Sequence, residues 1–214
     1  MTALHSFSSS RTEIAGLPLR DLVEQFGTPL YVYEQTVIDQ RITDLHRFDV
    51  IRYAQKACSN LAILARMRRR GVVVDAVSAG EIRRAMAAGF STDPRKWQIV
   101  YTADIFDHES LDLVVEHALP VNCGSPDMIT QLGERRPGAE VTLRINPGFG
   151  HGHSQKTNTG GEQSKHGIWY TQIDDCLRRA DQTGVTVTGL HMHIGSGTDL
   201  EHLSAVCDAM ERAA

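Results

Sequence analysis

The sequence predicts an α/β fold, a TIM-type (β/α)8 barrel of parallel strands that is incomplete, with about six of its eight βα units present. Six apolar runs alternate with helical patterns, the runs recur at a regular interval, and polar side chains gather where the runs end. The runs begin at positions 50, 72, 97, 119, 141 and 187, so successive starts are 22 or 25 residues apart until a last step of 46. Units of the shorter length, repeated, build a parallel sheet with helices outside it.

The individual elements follow from the periodicity of apolar residues. The predicted strands are Val50–Lys56, Val72–Ser78, Trp97–Thr102, Leu119–Cys123, Val141–Asn146 and Val187–Ile194. The predicted helices between them are Asn60–Arg70, Ala79–Ala88, Ser110–Ala118, Asp127–Glu134 and Ile173–Thr183. Gly71 and Gly89 are expected to end the first two helices, because glycine readily adopts the left-handed conformation that follows a helix.

A leading segment differs in character from these repeats. Thr28-Pro29 introduces a run expected to be extended, Leu30–Tyr33, and then a helix over Gln35–Phe48. We therefore expect an N-terminal segment, residues 1–45, associated with a second domain, and a partial β/α barrel over residues 46–214.

The last segment, Asp199–Ala214, has the apolar spacing of an amphipathic helix, and no Gly, Asn or Pro ends it. A helix with an apolar stripe needs a surface to pack on, and six strands leave an eight-stranded barrel open at one edge. We therefore expect the natural chain to continue, and the isolated 214-residue chain to be inactive or nearly so.

Composition narrows the functional class. The chain holds 22 Lys and Arg against 26 Asp and Glu, a net charge of −4, which gives no electrostatic case for binding nucleic acid or an anionic membrane. Its four cysteines include no C-x-x-C pair, so they suggest neither a zinc ribbon nor a disulfide framework. No leader or membrane-spanning pattern is evident, and the expected location is the cytoplasm.

Polar or ionisable residues end each of the six predicted strands. In a parallel barrel the carboxyl ends of the strands share one face, and catalytic side chains come from several strands there. The strand-end residues are Lys56, Asp75, Ser78, Thr102, Asn122, Arg144, Asn146, His191, His193 and Ser196.

Lys56 ends the first strand and, at a period of two, shares a face with Ala54 and Arg52. Partial burial near other cations lowers the pKa of a lysine, and a neutral amine is what covalent chemistry with a carbonyl group requires. From the residues alone, a lysine that extends to solvent is the alternative. Arg144 would add a permanent cation to the same site, or it would form an ion pair with Asp75 or another neighbour.

His191 and His193 lie on one face of the last strand. They could form a metal-binding pair, one could pack on a flat cofactor ring, or they could be core histidines. The following Gly195-Ser196-Gly197 exposes backbone N–H groups ahead of a helix, a setting typical of anion binding.

A long polar loop runs from Pro147 to Gly167, and loops longer than about 15 residues are usually functional or disordered. It contains His151, His153 and His166. Glu162 is its one acidic partner, so we expect no metal site there.

Three motifs and this loop resemble a known family. Tyr53–Asn60 is similar to the Y-A-x-K-A-x-x-N segment of the alanine-racemase-like (fold type III) pyridoxal-phosphate decarboxylases. Val74–Glu81 resembles their D-x-x-S-x-G-E strand, and Leu190–Ser196 resembles their H-x-H-x-G-S strand. Within that group, Asn146–Gly161 and Ser164–Ile168 resemble the diaminopimelate decarboxylases.

The resemblance implies pyridoxal 5'-phosphate as the cofactor and decarboxylation of meso-2,6-diaminopimelate to L-lysine and carbon dioxide. Lys56 would hold the cofactor covalently, His193 would stack on its ring, and Ser196 would bind its phosphate. Arg144 and Asp75 would lie near the ring and the lysine. Lys56 and His193 are therefore the implied catalytic residues.

Members of the family are longer, form homodimers and have a second, β-rich domain. Their later glycine-rich phosphate loop, their E-P-G-R motif and their catalytic Cys and Tyr segments have no counterpart in these 214 residues. None of Cys58, Cys123, Cys176 and Cys207 lies in the motif of the catalytic cysteine.

Two alternatives stay open at this point. A metal-dependent TIM-barrel hydrolase would use His191 and His193, contain a bound metal and not depend on Lys56. A non-catalytic pyridoxal-phosphate-binding protein would have a closed eight-stranded barrel.

Overall fold

The computed structural model describes residues 11–150, 160–162, 164–193, 195 and 199–214. The chain forms two compact units, Met1–Ile51 and Arg52–Ala214. The division into domains at residues 45 and 46 stays a prediction. None of the helices in the described ranges has the length and apolar character needed to cross a membrane.

The first unit contains a short antiparallel hairpin and two helices. They are β1 (Glu13–Ile14), β2 (Leu17–Pro18), α1 (Leu19–Phe26) and α2 (Gln35–Asp44). The hairpin has no counterpart in the sequence prediction, because strands of two residues show no periodicity. The eight-residue helix α1 was not predicted either.

Residues 30–33, expected to be extended, belong to neither a helix nor a strand. One prediction about this unit is wrong. The helix predicted to reach Phe48 ends at Asp44, where the backbone tightens: the N–H groups of Leu45 and His46 donate to carbonyl groups three residues earlier, at 3.1 Å each. Such three-residue bonds are common at the last turn of a helix.

The second unit is built on a parallel sheet. Its strands are β3 (Arg52–Ala54), β4 (Val73–Ala76), β5 (Ile99–Ala103), β6 (Val121–Cys123), β7 (Glu140–Asn146), β8 (Ile168–Trp169) and β9 (Thr186–His191). Neighbours follow chain order from β3 to β7, and β7 also pairs with β8 and β9. Six of these strands fall on the six predicted runs. The two-residue β8 was not predicted.

Helices connect the strands as predicted. They are α3 (Leu61–Arg69), α4 (Ala79–Ala87), α5 (His108–Glu116), α6 (Pro126–Arg135), α7 (Ile173–Thr183) and α8 (Leu200–Ala213). Asn60 and Asp107 begin α3 and α5 by accepting hydrogen bonds from backbone N–H groups. Gly71 and Gly89 follow α3 and α4 with φ of 76° and 89°, as expected.

The two faces of the sheet have opposite character. One face carries apolar side chains that are almost completely buried under the helices, among them Val74, Ile99, Val121 and Leu143. The alternate positions carry Asp75, Thr102, Asn122 and Arg144. This second face therefore holds the candidate site.

The sheet is open within the described residues, since β3 pairs only with β4 and β9 only with β7. It is the incomplete parallel β/α barrel that the sequence predicted. The closed eight-stranded barrel expected of a non-catalytic binding protein is not found in this part of the chain. On α8, Leu200 and Leu203 are 83% and 48% exposed.

Candidate functional site

A line of hydrogen bonds crosses the polar face of the sheet. Thr102 Oγ1 on β5 donates to Asp75 Oδ1 on β4 at 2.5 Å, and Asn122 Nδ2 on β6 donates to Thr102 Oγ1 at 2.8 Å. Thr102 is buried, so its hydroxyl has a fixed role as donor to one neighbour and acceptor from the other. The structure thus brings together three strand-end residues that the sequence singled out.

Lys56 lies just beyond the end of β3 rather than in it. The chain turns at Gln55 into a single 3-10 turn, Gln55–Ala57, so the predicted strand is wrong beyond Ala54. Gln55 is completely buried, whereas the Lys56 side chain is exposed. The alternation that placed Lys56 on the face of Arg52 therefore does not apply to it.

Opposing influences act on the carboxyl of Asp75. Burial raises its pKa, and the Thr102 hydrogen bond, Arg52 and Lys56 lower it in that order of effect, so the pKa stays above its ordinary value. Burial also lowers the pKa of Arg52, and Asp75 partly opposes that shift. Asp75 thus supplies negative charge close to two cations from the β3 region.

Arg144 on β7 is only 8% exposed and lies in register with His191 on β9. Burial, followed by the charges of Arg144, His193 and Arg52, lowers the pKa of His191 to about 4. His191 is therefore neutral at physiological pH. Its Nδ1 atom is buried without a hydrogen-bond partner among the described residues.

His193 lies two residues beyond His191 and keeps access to solvent. Desolvation by the surrounding protein lowers its pKa, and the charges of Arg144, Lys56 and His166 add to that effect. Charges act strongly only over about 10 Å at moderate salt. Lys56, Arg144 and His193 therefore belong to one site, although they come from distant parts of the sequence.

Asp104 is a residue of this site that sequence reasoning missed. It follows β5 directly, and its Oδ1 accepts hydrogen bonds from Arg144 Nη1 at 3.3 Å and from the Gly167 N–H at 3.0 Å. Its Oδ2 contacts Nδ1 of His166. Of the ion pairs considered for Arg144, the structure shows the one with a neighbour, Asp104, rather than with Asp75. The Thr102-Ala-Asp104 sequence, which places a carboxylate at the strand end, was the available signal.

Asn146, at the end of β7, anchors the long loop instead of lining the site. It is 3% exposed, and its Oδ1 accepts from the N–H groups of Gly148 and Gly161 at 3.1 and 2.9 Å. Its Nδ2 donates to the carbonyl groups of Gly161 and His166 at 3.1 and 3.3 Å. A single amide thus ties both ends of the loop to the sheet.

The remaining predicted residues divide into two groups. Ser78 caps α4 by accepting from the N–H of Glu81 at 3.3 Å, a structural role. Ser196, His151 and His153 lie outside the described residues. Within the described ranges, no three or more His, Cys, Asp or Glu side chains are arranged to hold a metal ion.

Comparison with known proteins identifies the family. The sequence matches the model of the pyridoxal-dependent decarboxylases, pyridoxal binding domain, over residues 36–214. The chain belongs to this family, as the three motifs indicated.

Among curated relatives, the diaminopimelate decarboxylase of Escherichia coli K12 is 52% identical over 97% of this chain and 50% of its own length. That of Streptomyces coelicolor is 56% identical over 87% of this chain and 42% of its own length. The chain thus spans about half the length of the curated relatives it matches.

Solved structures agree with these relatives. A crystal structure of diaminopimelate decarboxylase is 54% identical, with a TM-score of 0.87 over 91% of this chain and 46% of that chain. The Helicobacter pylori enzyme complexed with L-lysine is 25% identical, with a TM-score of 0.80 over 91% of this chain and 52% of that chain.

The described residues fit pyridoxal phosphate, a flat anionic cofactor with an aldehyde group. Lys56 supplies an exposed primary amine, and Arg144 supplies a permanent cation. His193 supplies an imidazole whose positive charge is disfavoured, and the buried Nδ1 of His191 is an unused polar atom in the same cluster.

Proposed function

We propose that this chain is the cofactor-binding part of a pyridoxal-phosphate-dependent decarboxylase that converts meso-2,6-diaminopimelate to L-lysine and carbon dioxide. The observation that carries the proposal is that Arg144, near the carboxyl end of β7, lies on the same side of the sheet as Lys56 and His193, which follow the ends of β3 and β9. The names of the relatives at 52% and 56% identity support the choice of substrate.

The proposed role of each residue comes from the family resemblance and is supported by its surroundings. Lys56 holds the cofactor covalently through Nζ, and Asp75, fixed by Thr102, places a counter-charge near that amine. His193 packs on the cofactor ring, because a neutral imidazole brings no positive charge against it. Arg144 faces the anionic groups as a permanent cation. The binding of the phosphate by Ser196 stays a prediction.

Bound pyridoxal phosphate supplies an acceptor for the electron pair that remains when a carboxylate leaves as carbon dioxide. Over the whole reaction one carboxylate of the substrate is replaced by a proton. Lys56, Arg144, His166 and His193 form a group rich in basic side chains, and such a group suits the two carboxylates of diaminopimelate as well as the cofactor phosphate.

The first experiment is to add pyridoxal phosphate to the chain, record its absorbance, reduce it with borohydride and map the labelled peptide by mass spectrometry. We expect one pyridoxyl group on the peptide that contains Lys56, lost in Lys56→Ala. Lys165→Ala is the matched control, because Lys165 is an exposed lysine close to His166. Labelling spread over several lysines and unchanged in Lys56→Ala would contradict the proposal.

Three further statements stay predictions alongside this proposal. The isolated chain is expected to release little or no carbon dioxide from diaminopimelate. The longer protein is expected to form a homodimer, and its location is expected to be the cytoplasm. The metal-dependent hydrolase needs one added measurement, the metal content of the purified chain: bound zinc or manganese, with no adduct at Lys56, would favour it.

A further inference from the structure

The Asp104 carboxylate is shared between the candidate site and the segment that leads into β8. Arg144 lies on its Oδ1 side at 3.3 Å, and the imidazole of His166 lies on its Oδ2 side. The N–H of Gly167 donates to Oδ1 as well, at 3.0 Å. One carboxylate therefore ties a buried cation on β7 to a loop segment more than 20 residues later in the sequence.

The side chains of Arg144, Asp104 and His166 are largely shielded from solvent. The Arg144 side chain is 10% exposed, and those of Asp104 and His166 are 24% and 32% exposed. Removing one partner of a shielded ion pair leaves the other charge uncompensated, which costs much more than losing a pair at the surface. Without the Asp104 charge, the Arg144 guanidinium must move or find another acceptor.

The loop segment at Gly167 lies so close to the backbone of β7 that a side chain at this position would be crowded. Its φ is +79°, and a Cβ at this position would lie 3.1 Å from the Arg144 carbonyl oxygen and 3.2 Å from the Asn146 nitrogen. The segment at Gly167 therefore packs directly on the backbone of β7. This close approach places His166, the residue before Gly167, next to the strand that carries Arg144.

We propose that Asp104 is a positioning residue of the active site, which orients the Arg144 guanidinium toward the anionic cofactor or substrate, and that His166 in turn holds Asp104. The inference rests on the proposed function, since Arg144 is positioned for the ligands of that site. Asp104 itself acts through Arg144 and need not touch those ligands.

The donor in the Asp104–His166 contact decides which variants test the proposal. An ionised carboxylate can only accept, so Nδ1 of His166 carries the hydrogen. The side-chain amide of asparagine can place an N–H near the position of Nδ1, whereas that of glutamine reaches the position of Nε2. His166→Asn should therefore keep the contact, and His166→Gln should lose it.

The test is a double-mutant cycle on the affinity for pyridoxal phosphate, measured by absorbance titration and by the fraction of Lys56 trapped with borohydride. We expect Asp104→Asn to weaken binding about tenfold, and to have less than about a twofold effect in a chain that already carries Arg144→Gln. Equal losses in both backgrounds, or no loss in either, would overturn the proposal. Glu162→Gln is the matched control, a carboxyl-to-amide change at an exposed position of the same loop.

The histidine variants keep the test valid if Asp104→Asn does not fold. His166→Gln should weaken binding by about the same factor as Asp104→Asn, and His166→Asn should stay within about twofold of the unsubstituted chain. Equal affinities of these two variants would count against a positioning role. If the unsubstituted chain takes up no pyridoxal phosphate at Lys56, it is the proposed function that fails.

A second readout needs no cofactor. Hydrogen exchange of the Gly167 amide, followed by NMR in the free chain, reports the contact with Asp104 directly. Exchange should be faster in His166→Gln than in His166→Asn. The same rate in both variants would show that His166 does not hold Asp104, whatever happens at Lys56.

Discussion

Thr102 on β5 donates a 2.5 Å hydrogen bond to the carboxylate of Asp75 on β4, and this bond holds the negative charge of the site in place. Burial raises the pKa of Asp75, and the Thr102 hydroxyl is the strongest of the effects that oppose it. Asn122 fixes the hydroxyl from the other side, at 2.8 Å. The ionised state of Asp75 near Lys56 therefore depends on the uncharged side chain of Thr102. Thr102 lies on β5, two strands in from the edge strand β3.

Thr102→Val should destabilise the chain by about 1–3 kcal/mol near neutral pH, because a buried carboxylate loses its donor. Loss of the bond also raises the pKa of Asp75 further. A raised pKa in the folded state costs stability above that pKa, so the deficit should shrink as the pH falls and Asp75 becomes protonated in both states. Urea unfolding at several pH values measures this.

Thr102→Ser is the control for that prediction, because serine keeps the hydroxyl and removes one methyl group. It should retain the pH dependence of the unsubstituted chain. A deficit in Thr102→Val that is the same at every pH would mean that the bond to Asp75 does not affect its ionisation.

The ionisation of His191 should have the opposite effect on stability, which it should lower as the pH falls. Its pKa is lowered to about 4 in the folded chain, chiefly by burial, so the folded state resists protonation. As the pH falls from about 6.5 to 4, the unfolded chain gains a proton and the folded chain does not, which removes up to about 3 kcal/mol of stability. His191→Gln should lack this loss.

The measurement is the difference in unfolding free energy between His191→Gln and the unsubstituted chain across that pH range. His108→Gln, at an exposed histidine, shows the background effect of replacing a histidine. If the difference between His191→Gln and the unsubstituted chain does not change with pH, His191 is not held neutral by its surroundings.

The sheet and the helices could be predicted from sequence because each has a period that burial imposes on the side chains. The boundaries of α7 agree with the prediction at both ends, and those of α3 and α6 differ from it by one residue at each end. Strand ends then indicated Asp75, Arg144 and His193, since parallel strands share one carboxyl edge. The pattern identified the α-helices and strands of the second unit apart from the two-residue β8, but it did not identify the hairpin or α1 in the first unit.

Two features of the site could not be predicted in this way. Asp104 is defined by partners 40 and 62 residues away in the sequence, and no local period records such pairings. Lys56 lies in a 3-10 turn because the chain leaves the strand at Gln55, whose polar side chain is buried against expectation. Neither the partners of Asp104 nor the burial of Gln55 is recorded in the residues next to them in the sequence.

The four cysteines should differ in how fast their thiols react with an alkylating reagent. Burial raises the pKa of Cys123, and burial with the charge of Asp175 raises that of Cys176 to about 11. Both thiols are inaccessible, whereas Cys207 on α8 is exposed. In the native chain a thiol reagent should label Cys207, and it should label Cys123 and Cys176 about a hundredfold more slowly or worse.

Peptide mass mapping after timed alkylation distinguishes the four sites. Labelling in denaturant is the control, because it should make all four thiols react alike. Fast native labelling of Cys123 or Cys176 would show that the sheet opens readily near β6 and α7.

Helices α6 and α7 lie close together at Gly133. A Cβ at that position would lie 2.4 Å from Oγ1 and 2.5 Å from Cβ of Thr183, so the two helices would have to separate. Gly133→Ala should therefore destabilise the chain by about 1–3 kcal/mol, the usual cost of overpacking. Urea unfolding at constant pH measures it.

Gly80 provides the matched control, since it also lies in a helix, α4, but the nearest atom to an added Cβ is Ser78 Oγ at 3.9 Å. Gly80→Ala should leave stability unchanged or raise it by up to about 1 kcal/mol, because alanine favours the helix. Equal effects of the two substitutions would mean that α6 and α7 are not in close contact at Gly133. The contact matters for the site as well, because α7 leads directly into β9, the strand that carries His191.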